Sequence, residues 1–296
     1  MTVDVRRVGP EAAAEVLAVV REAFGARPPL DPPADALGED VDSIDRLLRR
    51  RGGLVAFLDG EPVGCVVLDP GPDGMVLRRF GVLPAAQGRG VATALVKAAV
   101  DASLGHEAVR VVARQELPET VGFWEAAGFV ETGRSTPYVE LAHWLGTSFD
   151  APDAETMRGL GERLGATLVA GDLVVLTGEL GAGKTTFTQG LGEGLQVRGG
   201  VTSPTFVISR VHPSLVGGPD LVHVDAYRLG GLDELDDLDL DTPLESSVTV
   251  VEWGAGLAEA LADARLEVLI ERTVGGTTPE DELDPRRVSL RWVRGQ

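Results

Sequence analysis

The stretch Leu173–Thr186, LVVLTGELGAGKTT, constrains this chain more than any other. A short apolar run, Leu173 to Leu176, feeds a loop with glycine at 178, 181 and 183. Lys184-Thr185-Thr186 then open a helix-compatible segment. The order is strand, G-x-x-x-x-G-K-[ST] loop, helix. Glycines let the backbone curl so that successive N–H groups face inward on a phosphate, and a helix N-terminus adds partial positive charge. Lys184 is then placed to meet the outer phosphates of a nucleotide, and the Thr185 hydroxyl to hold a magnesium ion. A glycine-rich turn merely joining a strand to a helix is the plainer reading; strand, loop and Lys-Thr together favour nucleotide binding.

This loop opens the second half of a chain of 296 residues, a length that suggests two domains. Hydrophobic content of 44% suffices for two packed cores. Cys65 is the one cysteine, which excludes an intrachain disulfide and a cysteine-based zinc cluster. The opening MTVDVRRVGPEAA lacks the basic patch and apolar run of a signal peptide, and no apolar stretch reaches the ~20 residues that span a bilayer. The expectation is a cytoplasmic protein without a membrane segment. A formal charge of −19 argues against extensive direct nucleic-acid binding, which needs lysines and arginines against phosphates. A basic protein partner, or a small anion in one local pocket, is compatible with it.

In the first half, Val3 to Val8 alternates like a strand and Glu11 to Phe24 has helical spacing. Prolines at 28, 29, 32 and 33 forbid regular structure in the following loop. Asp42 to Arg51 reads as a helix whose Arg49-Arg50-Arg51 end is solvated, and Leu54–Asp59 and Pro62–Leu68 as strands joined by a hairpin turn. Met75 to Val82 reads as a strand stopped by Pro84, and Gly90 to Ala102 as an amphipathic helix. Between them Gln87-Gly88-Arg89-Gly90-Val91-Ala92 fits [RQ]-x-x-G-x-[GA], a turn of small residues whose free N–H groups suit an anion such as a pyrophosphate. After a further strand at Val109–Ala113 comes Phe123-Trp124-Glu125-Ala126-Ala127-Gly128-Phe129.

With these two motifs in this order, residues 1 to 146 resemble the GNAT family of acetyl-CoA-dependent N-acetyltransferases. The resemblance implies an α/β fold with a central mixed sheet and flanking helices, and acetyl-CoA lying where strands splay apart. It implies that the Val82 backbone meets the pantetheine arm and that the amides of Gln87, Gly88, Arg89, Gly90, Val91 and Ala92 hold the pyrophosphate. Many members place an acidic tyrosine where this chain has Trp124, which cannot donate a comparable proton; Trp124 reads instead as a packed aromatic. Glu116 and Glu119 are candidate bases if they face the cleft, and Tyr138 a substitute acid if its strand returns beside the thioester. His143 and Cys65 read as structural.

In the second half, Asp225 ends the strand-like run Leu221–Val224 and Glu252 ends Val248–Val251, so a sheet would deliver both carboxylates to its C-terminal edge. With Thr185 they supply oxygen ligands of the kind Mg2+ takes. Thr202, Ser203 and Thr205 flank Pro204 and could turn hydroxyls toward a phosphate. The pieces GELGAGKTTF, SPTF, HVDAYRL and VEWG, in this order, resemble the TsaE family, the ATPase subunit of the bacterial tRNA threonylcarbamoyladenosine machinery. The resemblance covers residues 147 to 296 and implies a P-loop NTPase domain. Leu180, Gly181, Ala182, Gly183, Lys184, Thr185 and Thr186 would bind ATP, Thr185 and Glu252 ligate Mg2+, and Asp225 orient nucleotide or water. Lys184, Asp225 and Glu252 form the catalytic set. Ser203, Pro204 and Thr205 would be switch-like, and Trp253 a candidate wall of the nucleotide pocket.

The implied partners are proteins of the TsaB and TsaD type, with tRNA met indirectly at adenosine 37. The acidic run 233–245, DELDDLDLDTPLE, reads either as a solvated amphipathic helix or as a docking face for a basic partner. Arg286 or Arg287 could reach a phosphate. Two rivals stand beside this reading: a free-standing P-loop kinase of small molecules, and a first half that binds acyl-CoA without catalysing transfer. The acetyl acceptor is open.

Overall fold

A computed structural model describes residues 2–204, 209–228, 245–254, 262, 264–272 and 285–294. Thr205 and Phe206 of the SPTF stretch and residues 233–244 of the acidic run lie outside the described residues. The chain divides into two compact units, Met1–Leu145 and Gly146–Gln296.

The first unit runs β1 (Asp4–Val8), α1 (Ala13–Gly25), α2 (Val41–Arg51), β2 (Gly53–Leu58), β3 (Glu61–Gly71), β4 (Gly74–Val82), α3 (Val91–Asp101), β5 (Ala108–Arg114), α4 (Pro118–Ala126), β6 (Val130–Ser135) and β7 (Tyr138–Trp144). Asp40 starts α2 because its carboxylate accepts from the Ser43 amide at 2.8 Å while the Ser43 hydroxyl accepts from the Asp40 amide at 2.9 Å, a reciprocal cap. The sheet order is β1-β2-β3-β4-β5-β7-β6, a mixed sheet in which β4 and β5 are the parallel pair. Every residue of β2, GLVAFL, is buried, because helices cover both faces. Val55, Phe57, Cys65 and Val67 pack under α1 and α2, whereas Leu54, Ala56, Leu58, Val66 and Leu68 pack under α3. The alternation of a strand assigns neighbours to opposite cores.

Of the arginine run at the end of α2, Arg49 and Arg50 are exposed as expected and only Arg51 departs from the solvated reading. Arg49 pairs with Asp45, Arg50 with the buried Asp69, and Arg51 is itself buried. The proline-rich loop contains one short 3-10 turn, Asp35–Gly38.

The second unit runs β8 (Ser148–Ala151), α5 (Ala154–Gly165), β9 (Leu173–Thr177), α6 (Lys184–Gly194), β10 (Ser209–His212), β11 (Asp220–Asp225), β12 (Ser247–Glu252), β13 (Ala264–Arg272) and β14 (Arg286–Arg294). Sheet order is β10-β11-β12-β9-β13-β14-β8, with β11, β12, β9 and β13 parallel and the flanking strands antiparallel. The stretch 141–152, LAHWLGTSFDAP, carries no motif, yet it supplies the edge strand β8, paired to β14 from Ser148↔Ser289 to Ala151↔Arg286. Ser148-Phe149-Asp150-Ala151 alternates in polarity and burial, but four residues are too few to announce a strand.

Candidate functional site

The loop between β9 and α6 is wound around the Lys184 side chain. Gly183, the residue before the helix, has φ 104° and no side-chain cap, a conformation that glycine tolerates and that leaves the first amides of α6 unclaimed. The Lys184 Nζ donates to the carbonyls of Gly178 at 2.8 Å and Glu179 at 3.0 Å, and sits 3.7 Å from the centre of the Trp253 ring. Burial pulls this ammonium below the usual lysine range, against an opposing pull from Glu252 and Asp225. Leu180, on the same loop, is 84% exposed.

Parallel pairing brings the two carboxylates side by side. Asp225 and Glu252 are register partners at the carboxyl ends of β11 and β12, and Glu252 is also the partner of Leu176 at the end of β9. The Thr185 hydroxyl donates to Glu252 Oε1 at 3.3 Å. Asp225 accepts from the Ser203 hydroxyl at 3.2 Å and the Tyr227 amide at 3.1 Å. Thr185, Asp225, Glu252, Ser203 and Lys184 are thereby gathered at one sheet edge. Trp253 follows Glu252 with φ 62°, its amide donating to the Leu176 carbonyl at 3.1 Å, and its ring lies 5.3 Å from Tyr227. The donor set beside Thr185 is oxygen with net negative charge, which suits a hard divalent cation such as Mg2+ and would leave its other positions to phosphates and water.

Three further side chains join this edge. His223 is fully buried on β11 and its Nε2 lies 2.9 Å from Glu252 Oε1. Arg286, where β14 begins, donates to the loop carbonyls of Ala182 at 3.2 Å and Gly181 at 3.3 Å. Its cross-strand partner Arg272 brings a guanidinium to the flank of Gly181. Arg287 turns away and pairs with Asp150. Strand alternation separates the two arginines, so only one of the adjacent pair touches the loop.

The first unit holds a different site. Strands β4 and β5 pair at Met75↔Val109 and Val76↔Arg110, where their register ends. The gap beyond opens into a cavity of about 1030 Å³ lined by Val82, Gln87, Ala92, Glu116, Glu119 and Tyr138, among others. Arg79, with φ 54°, is a bulge residue on β4 and pairs with Glu39 at 2.7 Å. At the start of α3, Gly90 has φ 80° and no side-chain cap, and a Cβ at either Gly88 or Gly90 would meet nothing within 4 Å. Gln87, Gly88, Arg89 and Gly90 are exposed, with Val91 turned into the core and Ala92 at the rim. A turn this open, ending in an uncapped helix start, fits a pyrophosphate.

Trp124 is 3% exposed and wedged between Phe80, Phe123 and Phe129 with ring centres 4.8, 5.2 and 4.9 Å away. It is a packed aromatic. Glu116 is tied to Arg114 at 2.7 Å, and that bond holds its carboxyl below the usual range, which weakens it as a base. Arg114 also donates to the carbonyls of Asp31 and Pro32 at 2.9 and 2.7 Å. Tyr138 is the register partner of Arg114, so β7 does return it to the cavity. His143 contacts the Gly128 carbonyl at 3.0 Å, and Cys65 is fully buried with its thiol pushed up to about 12 by burial.

Residues 151–278 match the family model for the threonylcarbamoyl adenosine biosynthesis protein TsaE. The Streptomyces coelicolor tRNA threonylcarbamoyladenosine biosynthesis protein TsaE is 69% identical over 125 residues, 42% of this chain and 84% of that protein. The chain belongs to the TsaE family. Its Bacillus subtilis relative of the same name is 40% identical over 119 residues, 40% of this chain and 73% of that protein. Ahead of the TsaE unit, residues 18–129 match the acetyltransferase (GNAT) family model. A solved PaiA N-acetyltransferase from Thermoplasma acidophilum, in complex with coenzyme A, is 15% identical, covering 49% of this chain and 100% of that one with a TM-score of 0.42.

Sequence reasoning missed two contributors to this candidate site, His223 and Arg272, and named Arg286 only as an alternative to Arg287. His223 sits inside the quoted HVDAYRL stretch, and the signal was its position two residues before Asp225 on a strand, which puts both on one face. Arg272 belongs to no motif; only the pairing of β13 with β14 brings it, beside Arg286, to the loop.

Proposed function

We propose that the C-terminal unit is a Mg2+-dependent ATPase that serves tRNA threonylcarbamoyladenosine biosynthesis at adenosine 37, acting through TsaB- and TsaD-type proteins. The observation that carries this reading is the convergence of Lys184, Thr185, Asp225 and Glu252 at one sheet edge behind a glycine loop. The amides from Leu180 to Thr186 would cradle the phosphates of ATP, with Lys184 exchanging its loop carbonyls for phosphate oxygens. Thr185 and Glu252 would hold Mg2+, which supplies charge neutralisation at the β- and γ-phosphates. Asp225, kept in place by Ser203 and the Tyr227 amide, would orient nucleotide or water. In this scheme catalysis is positioning and charge stabilisation, with no covalent intermediate on the protein. The high negative charge favours contact through protein partners over direct contact with tRNA.

The N-terminal unit is proposed to bind acetyl-CoA, the pyrophosphate on the amides of Gln87 to Ala92 and the pantetheine arm along Val82. Its reaction would be transfer of the acetyl group to an amine. ATP turnover measured alone, with candidate small acceptors, and with the purified TsaB- and TsaD-type proteins tests the first reading. Stimulation by the partners is expected, and partner-independent phosphorylation of a small acceptor would overturn it. Calorimetric titration with acetyl-CoA, followed by an amine panel, tests the second. Absence of acetyl-CoA binding would sink it, and binding without transfer would make the unit an acyl-CoA-binding module.

A further inference from the structure

A fully buried polar contact of the second unit lies directly behind the Thr185–Glu252 pair. His223 is 0% exposed and Glu252 3% exposed, and they meet at 2.9 Å between Nε2 and Oε1. A carboxylate offers only acceptors, so the imidazole must be the donor there. The opposite ring nitrogen, Nδ1, is buried and has no hydrogen-bond partner. The ring thus directs its single hydrogen bond at Glu252.

The direction of that bond matters. The Thr185 hydroxyl also donates to Oε1, at 3.3 Å. Both donors therefore land on one oxygen and Oε2 carries neither bond. Two donors on the same oxygen restrict rotation of the carboxylate about its last torsion and leave the other oxygen turned away from both. Backbone geometry fixes the arrangement further. His223 pairs with Val250 and Asp225 with Glu252 in the parallel β11–β12 ladder, so the imidazole is one pleat behind the two carboxylates.

We propose that His223 is a positioning residue that presents the Glu252 carboxylate to a divalent cation. This rests on the reading of Glu252 as a Mg2+ ligand. His223 makes no contact with the cation or nucleotide; it acts through Glu252 alone. Gln at this position can offer a donor where Nε2 stands, whereas Met fills a similar volume with no donor.

The experiment titrates Mg2+ into the full-length chain with ADP by calorimetry, and repeats the ADP titration in EDTA. Loss of an outer donor to a metal ligand typically weakens metal affinity about 10-fold or more. His223→Met should therefore raise the apparent Mg2+ dissociation constant about 10-fold while leaving Mg2+-free ADP binding unchanged, and His223→Gln should recover most of the loss. Glu252→Gln should lose the Mg2+ dependence altogether. If Glu252→Gln changes the titration and His223→Met does not, the inference about His223 fails alone. If neither variant changes it, the metal reading of Glu252 fails with it. A measurement on the unmutated protein stands apart from variant folding: nitrogen-15 imidazole spectra should show His223 protonated at Nε2, and a ring bare at Nε2 would overturn the proposal.

Discussion

Replacing Gly190 by alanine should destabilise the TsaE unit although alanine is the better helix former. Helices α5 and α6 approach through glycines, and a Cβ at Gly190 would stand 2.0 Å from the Arg158 carbonyl oxygen and 2.9 Å from the Glu162 nitrogen. Ordinary contact begins at 3.4 Å, so the helices must part by about 1.4 Å or deform. Overpacking of this kind costs about 1–3 kcal/mol, and the upper end applies because the obstacles are backbone atoms that cannot rotate away. Alanine returns about 1 kcal/mol of helix propensity. The net is about 2 kcal/mol of lost stability, or roughly 6 °C in Tm for a unit of this size. Gly159 on the same helix α5 is the control, because a Cβ there meets nothing within 4 Å. Gly159→Ala should raise Tm by roughly 3 °C. Scanning calorimetry of the full chain reads both, and only the transition of the second unit should move. If Gly190→Ala matched or exceeded the wild-type Tm, close backbone approach would not be what keeps this position small.

Lys184→Ala should weaken ADP binding by roughly 10-fold or more, read by calorimetric titration, because it removes the cation around which the loop is wound. Trp124→Phe should leave acetyl-CoA turnover nearly unchanged and Trp124→Ala should cost about 3–5 kcal/mol in stability, since the indole packs and does not transfer protons; denaturant melts and a thiol-release assay check the two. The buried Cys65 thiol makes stability pH-dependent. Its folded pKa, about 12, lies above the unfolded value of roughly 8.5, so the folded state keeps a proton that the unfolded state releases. Stability from this group is therefore complete below pH ~8.5 and falls as pH rises toward 12. Denaturation between pH 8 and 11 should show a steeper decline in wild type than in Cys65→Ala.

Much of the TsaE site was legible because its chemistry lies in side chains at strand and helix ends. Lys184 and Thr185 follow a glycine loop, and Asp225 and Glu252 close apolar runs, so one-dimensional order already placed them near one another. What pairs across the sheet was not legible: Arg272 reaches the loop through the β13–β14 ladder, and His223 meets Glu252 only because β11 and β12 are parallel neighbours. The strand β8 escaped because its alternating run of four residues is too short to stand out without its partner β14. In the first unit helices α1 and α3 were readable from apolar spacing, whereas α4, with Trp124 as its one buried residue, was not. Arg51 was not, since a charged helix end gives no sign that its last residue is buried.

The short register between β4 and β5 has a consequence for how the GNAT unit can change over time. Past Val76 and Arg110 the strands no longer pair, so main-chain groups of both are left to face the gap. A ligand recognised by peptide groups is indifferent to which residues carry them. Substitutions along such a groove can accumulate silently, provided the turn at Gly88 and Gly90 keeps its handedness.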